Sequence, residues 1–364
     1  MAGLASGETG GGGGVIISRT PFRISFFGGG TDYPAWYREH GGSVLTTTIN
    51  KYCYISCRWL PPFFEYASRV TWSKIELVND PSEITHPAIR AILEFLQIKE
   101  GIELHHNGDL PARTGLGSSS AFTVALLQTL YGLKGVMPTK MQLARDAIHV
   151  EQGLLKENVG CQDQIITAYG GLNRIDFAPD DTFQVSPVIL EKETLDRLQS
   201  HLMLWFTGVS RNASEVAGEQ IRVLPQKQQE LKAIHQMVDE AIRILQKKND
   251  LEAFGRLLHE SWRIKRSLTD KISTPWIDEI YETARRAGAT GGKILGAGGG
   301  GFLLLFVRPE EQGRVKEALE GLLNVPFAFE AQGSRIILYE PDGAASPSRV
   351  RAPREERKIG VGSA

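Results

Sequence analysis

Residues 111–121, PARTGLGSSSA, bring together a turn-forming proline, two glycines around a leucine and three serines. Residues of these types make an anion site. Glycine lets the backbone come close to a phosphate. Successive N–H groups running into a helix N-terminus add donors and the positive end of a dipole. Serine hydroxyls at a helix start either cap the helix or offer an oxygen to a phosphate-bound Mg²⁺. A mononucleotide P-loop sets a lysine just before its final Ser/Thr. Here Ser118 precedes Ser119, and the next lysine is Lys134. If this stretch holds a triphosphate, it relies on backbone donors, the helix dipole and a metal. The plain alternative is a turn followed by a helix cap.

Phosphoryl transfer needs donors and a metal on the phosphates and a group that orients the acceptor hydroxyl. A carboxylate should hold the metal. Glu151 lies in HVEQG, and Asp163 follows twelve residues later in GCQDQ. The surrounding VGCQDQIITAYGG is not the polar run of a solvated surface, although surface acids remain the bland alternative. Upstream, TPFRISFFGGGTDY carries Arg23, Gly29, Gly30, Thr31 and Asp32. Arg23 is alternatively a strand arginine facing solvent, and Asp32 a turn residue. Downstream, GGKILGAGGGGF spans 291–302. Its glycines 296–301 satisfy G-x-G-x-x-G, but a dinucleotide site needs a strand before and a helix after. A strand-like FLLLFV follows instead, which argues against an NAD-dependent dehydrogenase. These glycines read as a loop closing over the site from a second domain. The eight histidines give no metal-spaced cluster.

The elements that must position these residues follow from pattern. VIISRTPFRISFF and SVLTTTINKYCYISCRWL read as strands, and PAIRAILEFLQ has helical spacing. IELHHNGDL is a strand leading into the phosphate loop, and the apolar AFTVALLQTLYGL is a buried helix starting at the serines. A second helix runs from Thr139 to Leu155, with Thr139 and Gln142 spaced as a capping box. Short strands near 171–177 and 183–187 close the first half. HLMLWFTG opens the second as a buried strand, followed by amphipathic helices, two strands around the glycines, a helix and a last strand near 335–339.

The chain has 364 residues, too many for one comfortable core, so two domains are expected. Residues 1–14 read as a disordered Gly-rich N-terminus, 15–195 and 196–341 as the two domains, and 342–364 as a flexible tail. A net charge of −1 gives no electrostatic case for nucleic acid or an anionic membrane as main partner. No apolar run reaches membrane-spanning length. Cys53, Cys57 and Cys161 read as reduced thiols in a cytoplasm.

Three ordered stretches, TPFRISFFGGGTDY, PARTGLGSSS and GGKILGAGGGGF, resemble the three signatures of the GHMP kinases. The resemblance implies an α+β fold of two domains, the first like ribosomal protein S5 domain 2 and the second ferredoxin-like. It implies ATP bound by Pro111, Arg113, Thr114, Gly115, Leu116, Gly117, Ser118, Ser119 and Ser120. It implies Mg²⁺ held by Ser119 and Glu151. Asp163 then faces the acceptor hydroxyl and Arg23 keeps it ionised. Asp32, Gly29, Gly30, Thr31 and the glycines Gly298, Gly299 and Gly300 are assigned to the substrate side.

Within the family, GGGTD, TWSKIELV, THPAIR and TGVSRNAS resemble the D-glycero-α-D-manno-heptose 7-phosphate kinases, which phosphorylate the anomeric hydroxyl on the way to GDP-heptose. L-fucokinases and galactokinases share part of the pattern. A catalytically silent sugar-nucleotide sensor is the alternative of another class. Partners implied are ATP and a sugar phosphate, in a monomer or homodimer. Arg211, Lys265, Arg266 and Lys293 are candidates for a substrate phosphate by charge and by lying in the resembling stretches, with a solvated surface base as the plain alternative for each.

Overall fold

β1 (Ile16–Phe27) alternates buried and half-buried positions for its first four residues and is buried throughout from Thr20. A strand buried on both faces needs a layer on each side. One layer is α3 (Ser118–Leu133), apolar all round and therefore a buried helix. It packs on β1 and β2 (Gly42–Trp59), while α8 (Gln228–Lys247), an amphipathic helix of the second half, also reaches both strands, and α9 (Glu252–Arg266) reaches β1. The computed structural model describes residues 14–61, 63–209, 213–247 and 250–341. The glycine-rich start up to 13, the tail from 342 and Arg211 lie outside the described residues.

The remaining first-half elements are α1 (Pro34–His40), β3 (Ser68–Thr71), β4 (Ile75–Val78), α2 (Pro87–Phe95), β5 (Ile102–Gly108), α4 (Lys140–Ile148), α5 (Gln162–Tyr169), β6 (Leu172–Phe177) and β7 (Phe183–Pro187). Among the described residues the first sheet runs β13-β1-β2-β5-β3-β4, with β6 and β12 on β2 and β7 on β6. The pairs are antiparallel except β3 with β5. Here β12 is Phe329–Glu330 and β13 is Arg335–Tyr339.

The second half contributes α6 (Lys192–Ser200), β8 (Leu202–Phe206), α7 (Ala213–Val223), α10 (Pro275–Arg286), β9 (Ala289–Ile294), β10 (Phe302–Val307), α11 (Gln312–Ala318) and β11 (Leu323–Asn324). Its sheet runs β11-β8-β10-β9, all antiparallel. Two outer strands that come second and fourth in the chain flank two central ones that come first and third. That is the ferredoxin-like order the resemblance implied.

Three expectations shift. The helix expected over 139–155 is regular only to Ile148 and continues as a π-helical turn, His149–Leu154. The capping box is half formed. Thr139 Oγ1 accepts from Gln142 N at 3.1 Å, but the Gln142 amide donates to Asp146 instead. Finally, β12 and β13 fall in the stretch read as the second domain yet pair with β2 and β1 of the first sheet. An alternating strand pattern carries its burial but not its partner.

The halves share apolar contacts. Phe26 and Phe27 at the end of β1 meet Phe254 of α9 edge-on, with centroids 5.5 and 5.1 Å apart. Phe254 then approaches Phe306 of β10 at 6.2 Å. This aromatic junction holds the end of β1, and the glycine turn after it, against the second half.

Candidate active site

The phosphate loop joins β5 to α3. Gly117, at φ 71°, is the residue before the helix and has no side chain to spend on the helix's first N–H groups. Those donors are left for an anion. Thr114 Oγ1 donates to the Pro111 carbonyl at 2.8 Å, and the Ser118 hydroxyl accepts from Arg113 N at 3.2 Å, which fixes the turn. Thr114, Leu116, Gly117 and Ser120 are buried, whereas Pro111, Arg113 and Ser119 are exposed.

Arg23 comes from the fully buried part of β1. Its backbone N–H donates to the Leu116 carbonyl at 3.0 Å. Its guanidinium forks onto Asp163, Nε to Oδ1 at 2.7 Å and Nη2 to Oδ2 at 2.6 Å, while Nη1 donates to the Gly115 carbonyl. A bidentate charge-assisted pair of this kind fixes orientation as well as charge. Asp163 sits in the first turn of α5 rather than in a loop turn. A Cβ on Gly117 would stand 3.0 Å from Arg23 Cγ and 3.4 Å from Asp163 Oδ2, so only a bare backbone lets loop and ion pair touch.

Asp32 is buried beside this pair. Gly30 N donates to Oδ1 at 2.9 Å, Gln162 Nε2 to Oδ2 at 3.1 Å, and its carbonyl accepts from Cys161 N at 3.0 Å. Burial pushes its carboxyl up, with the Asp163 charge adding to the rise. Gly29 lies 3.7 Å from the Gln162 amide, measured from its would-be Cβ. Thr31, assigned to the substrate side from sequence, is fully buried, with its hydroxyl between the Gly28 and Ser43 carbonyls at 2.8 and 2.9 Å. It secures the turn and does not face a ligand.

Glu151 lies on the π-helical turn and is 1% exposed. Ser120 Oγ donates to its Oε2 at 2.9 Å, and the Gln164 amide donates to the same oxygen. Burial pushes the carboxyl up to about 7, against the polar groups of Thr123, Ser120 and Gln164 beside it. Its Oε1 has no partner. An orphaned buried carboxylate oxygen fits a metal ion completing the site. In this structure Ser120 is thus the serine in contact with Glu151. Ser119, the expected metal ligand, stands exposed one residue earlier. Among the described residues no group of three or more His, Cys, Asp or Glu is gathered for a metal, so phosphate oxygens and water would complete its shell.

The glycines after β9 meet the phosphate loop backbone to backbone. A Cβ on Gly296 would lie 2.6 Å from Gly115 Cα, and one on Gly301 2.2 Å from the Thr114 carbonyl oxygen. Phe302 N donates to that carbonyl at 3.1 Å. Gly298 and Gly300 press instead on Ile272 and Val209, and Gly299 N donates to the Ile272 carbonyl. These three hold the closing loop in shape from the second half.

Two of the residues considered for a substrate phosphate come to the site. Lys265, in the last turn of α9, is 8% exposed and donates to the Gly296 carbonyl. Burial, then the Arg23 charge, lowers its ammonium to about 8, against Asp32 and Asp163. Lys293 on β9 donates to the Phe26 carbonyl at 2.8 Å, and burial holds it well below the ordinary lysine range. The signal was present in sequence. Lys265 continues the stripe of Phe254, Leu258, Ser261 and Trp262, and Lys293 interrupts a buried strand. Arg266, by contrast, pairs with Asp278 at 2.9 Å on the surface side of α9.

Residues 83–171 match the GHMP kinase N-terminal domain, and residues 232–324 match the GHMP kinase C-terminal region. The chain is 27% identical to the D-glycero-alpha-D-manno-heptose 7-phosphate kinase of Campylobacter jejuni, over 88% of this chain and 98% of the relative. It is 25% identical to the bifunctional fucokinase/GDP-fucose pyrophosphorylase of Arabidopsis thaliana, over 82% of this chain but 30% of that protein. Its fold superposes with a TM-score of 0.72 on a D-glycero-D-manno-heptose 1-phosphate kinase from Bacteroides thetaiotaomicron, at 24% identity, covering 88% of this chain and 97% of that one. Because its two halves match the two halves of one family in order, the chain belongs to the GHMP kinases and is an ATP-dependent phosphotransferase with an alcohol acceptor.

Proposed function

We propose that the chain is a sugar 1-kinase that transfers the terminal phosphoryl of ATP to the anomeric hydroxyl of D-glycero-α-D-manno-heptose 7-phosphate, giving the 1,7-bisphosphate used towards GDP-heptose. The observation that carries the reading is the Arg23–Asp163 fork, held in contact with Gly117 of the phosphate loop and beside buried Asp32. This arrangement supports reading the loop as a phosphate cradle, Asp163 as the carboxylate facing the acceptor hydroxyl and Asp32 as a second acceptor for sugar hydroxyls. The relative from Campylobacter jejuni, whose length this chain matches almost fully, supports the heptose 7-phosphate assignment.

In this reading the N–H groups at the start of α3 hold the phosphates. Glu151, through its orphaned Oε1, and the exposed hydroxyl of Ser119 would hold Mg²⁺, which would neutralise phosphate charge. Arg23 fixes the rotamer of Asp163, and Asp163 accepts the hydrogen of the attacking hydroxyl. Asp32 accepts from a neighbouring sugar hydroxyl. Gly29 and Gly30 leave room for the sugar ring, and the 298–300 loop excludes water from above. The protein acts in the cytoplasm, as monomer or homodimer. Among the described residues no helix is long and apolar enough to cross a membrane.

Incubation with Mg·ATP and a panel of heptose 7-phosphate, fucose, galactose and free heptose, read by phosphorus NMR, tests the reading. A new anomeric phosphate on heptose 7-phosphate is expected. Turnover of fucose or galactose with none of the heptose phosphate would refute the substrate assignment.

A further inference from the structure

The phosphate loop carries no lysine, and α3 begins with uncharged serines. The loop's own cation, Arg113, is exposed, and its charge acts on Glu157. A buried cation for the phosphates would come from another element. Lys265 arrives from the opposite half of the chain. Its ammonium has three donors, and one is spent, on the Gly296 carbonyl. Gly296 is in backbone contact with Gly115, the Gly115 carbonyl accepts from Arg23, and Arg23 forks onto Asp163. The ammonium therefore sits where phosphate loop, closing loop and ion pair meet. Its position is 8% exposed. A buried cation with two unspent donors is costly unless an anion comes to it.

We infer that Lys265 is the cation that stands in for the absent P-loop lysine, moving from the Gly296 carbonyl to the non-bridging oxygens of the phosphoryl group in transfer. The inference rests on the kinase reading above. In that transfer the acceptor oxygen forms a bond to phosphorus and the bond from phosphorus to the bridging oxygen breaks. The hydroxyl proton passes to Asp163, and ADP leaves with the electron pair. Lys265 gains and loses no bond. It takes up negative charge that peaks during the transfer, the kind of contact that raises kcat.

Four charged groups face this ammonium: Arg23 of β1, Asp32 in the turn after it, Asp163 of α5 and Lys293 of β9. The ammonium is lowered to about 8. Below that pH it carries its charge, and as pH rises through it the charge is lost. An alkaline limb in kcat/KM near pH 8 follows, since that ratio reports groups of the free enzyme.

The test compares wild type, K265M and K265R on every acceptor the wild type uses, phosphorylated and free, with kcat, both KM values, ADP affinity by calorimetry and kcat/KM from about pH 6 to 10. K265M is expected to lose about 10²–10³-fold in kcat with ADP affinity kept within about threefold. K265R is expected to keep most of kcat and to lose the limb near pH 8. Unchanged kcat in K265M overturns the inference. So does a loss confined to phosphorylated acceptors, which would place the ammonium on the acceptor's own phosphate. If K265M does not fold, coincident alkaline limbs in wild type and K265R overturn it. A wild type that phosphorylates no acceptor overturns the kinase reading and this inference together. Wild-type turnover with an unaltered K265M overturns this inference alone.

Discussion

Replacing Glu151 with glutamine should abolish turnover and yet stabilise the metal-free protein at pH 8, with a pH signature that can be calculated. The carboxyl is raised to about 7 by burial, against an ordinary 4.5. The sign follows from the direction. A carboxyl raised in the folded state favours folding below about pH 4.5, and that contribution is lost as pH rises to about 7. Above pH 7 the folded chain carries the full cost of a buried carboxylate, about 3 kcal/mol at 1.36 kcal/mol per pH step. At pH 5.5 the cost is about 1.4 kcal/mol. The Glu151→Gln side chain never carries it. Its amide oxygen can still accept from Ser120 and Gln164, but its NH₂ enters the space around Oε1, which has no partner, at about 1–3 kcal/mol. That penalty is the same at both pH values, so it cancels in the difference. Urea unfolding with EDTA and no nucleotide, at pH 8 and 5.5, should give a stability gap between variant and wild type that is about 2 kcal/mol more favourable to the variant at pH 8. Magnesium and nucleotide should then stabilise the wild type and leave the variant nearly unmoved. A gap that does not change between the two pH values would refute the reasoning, because it would mean that the carboxylate is not held against its ionisation.

Three further outcomes are expected. Asp163→Asn keeps the shape of the side chain but not its charge, so kcat should fall about 10²–10⁴-fold with ADP affinity kept; near-normal turnover would remove Asp163 from its role. Gly117→Ala must adopt φ 71° and brings a Cβ to 3.0 Å from Arg23 Cγ, so activity should drop with a stability loss of about 1–2 kcal/mol, read by single-turnover kinetics and urea melts. Phe254→Ala empties the aromatic junction between the halves and should cost about 3–5 kcal/mol in denaturant unfolding; a cost confined to the second half's own unfolding, with no effect on ADP binding, would show that the junction does not hold the site together.

The legible part of the site was that written in local chemistry. Gly117 and Ser118–Ser120 announce a phosphate loop because positive φ and helix-start donors are properties of neighbouring residues. Glu151 and Asp163 were legible as a pair, since acids in an apolar run need a reason to be there. What stayed hidden depends on distance in space. Thr31 looked like a ligand residue but is consumed by the carbonyls of Gly28 and Ser43, one of them twelve residues away. Ser120 rather than Ser119 meets Glu151 because the 100° step of a helix, invisible in a run of identical residues, chooses which hydroxyl points inward. Lys265 and Lys293 were candidates for a substrate phosphate, but their burial beside the phosphate loop and the ion pair was not legible, although their places in a helix stripe and a buried strand hinted at it. The partners of β12 and β13 were likewise open, because a short strand does not name its neighbour.

The meeting of Gly115 with Gly296 gives the fold its functional logic. Each belongs to a different sheet's loops, and neither tolerates a side chain toward the other. The phosphate loop therefore has its working shape only while the second half is docked. The docking is held by Phe254 on Phe26 and Phe27 and by Lys293, which donates across to the Phe26 carbonyl, while Lys265 ties α9 to the closing loop within the second half. Separating the halves would open the cradle and remove the cations from the ion pair in the same motion. Nucleotide binding and domain docking thus share one free energy. A ligand that fills the cradle should raise the unfolding midpoint of both sheets together, as one transition, rather than that of the first sheet alone.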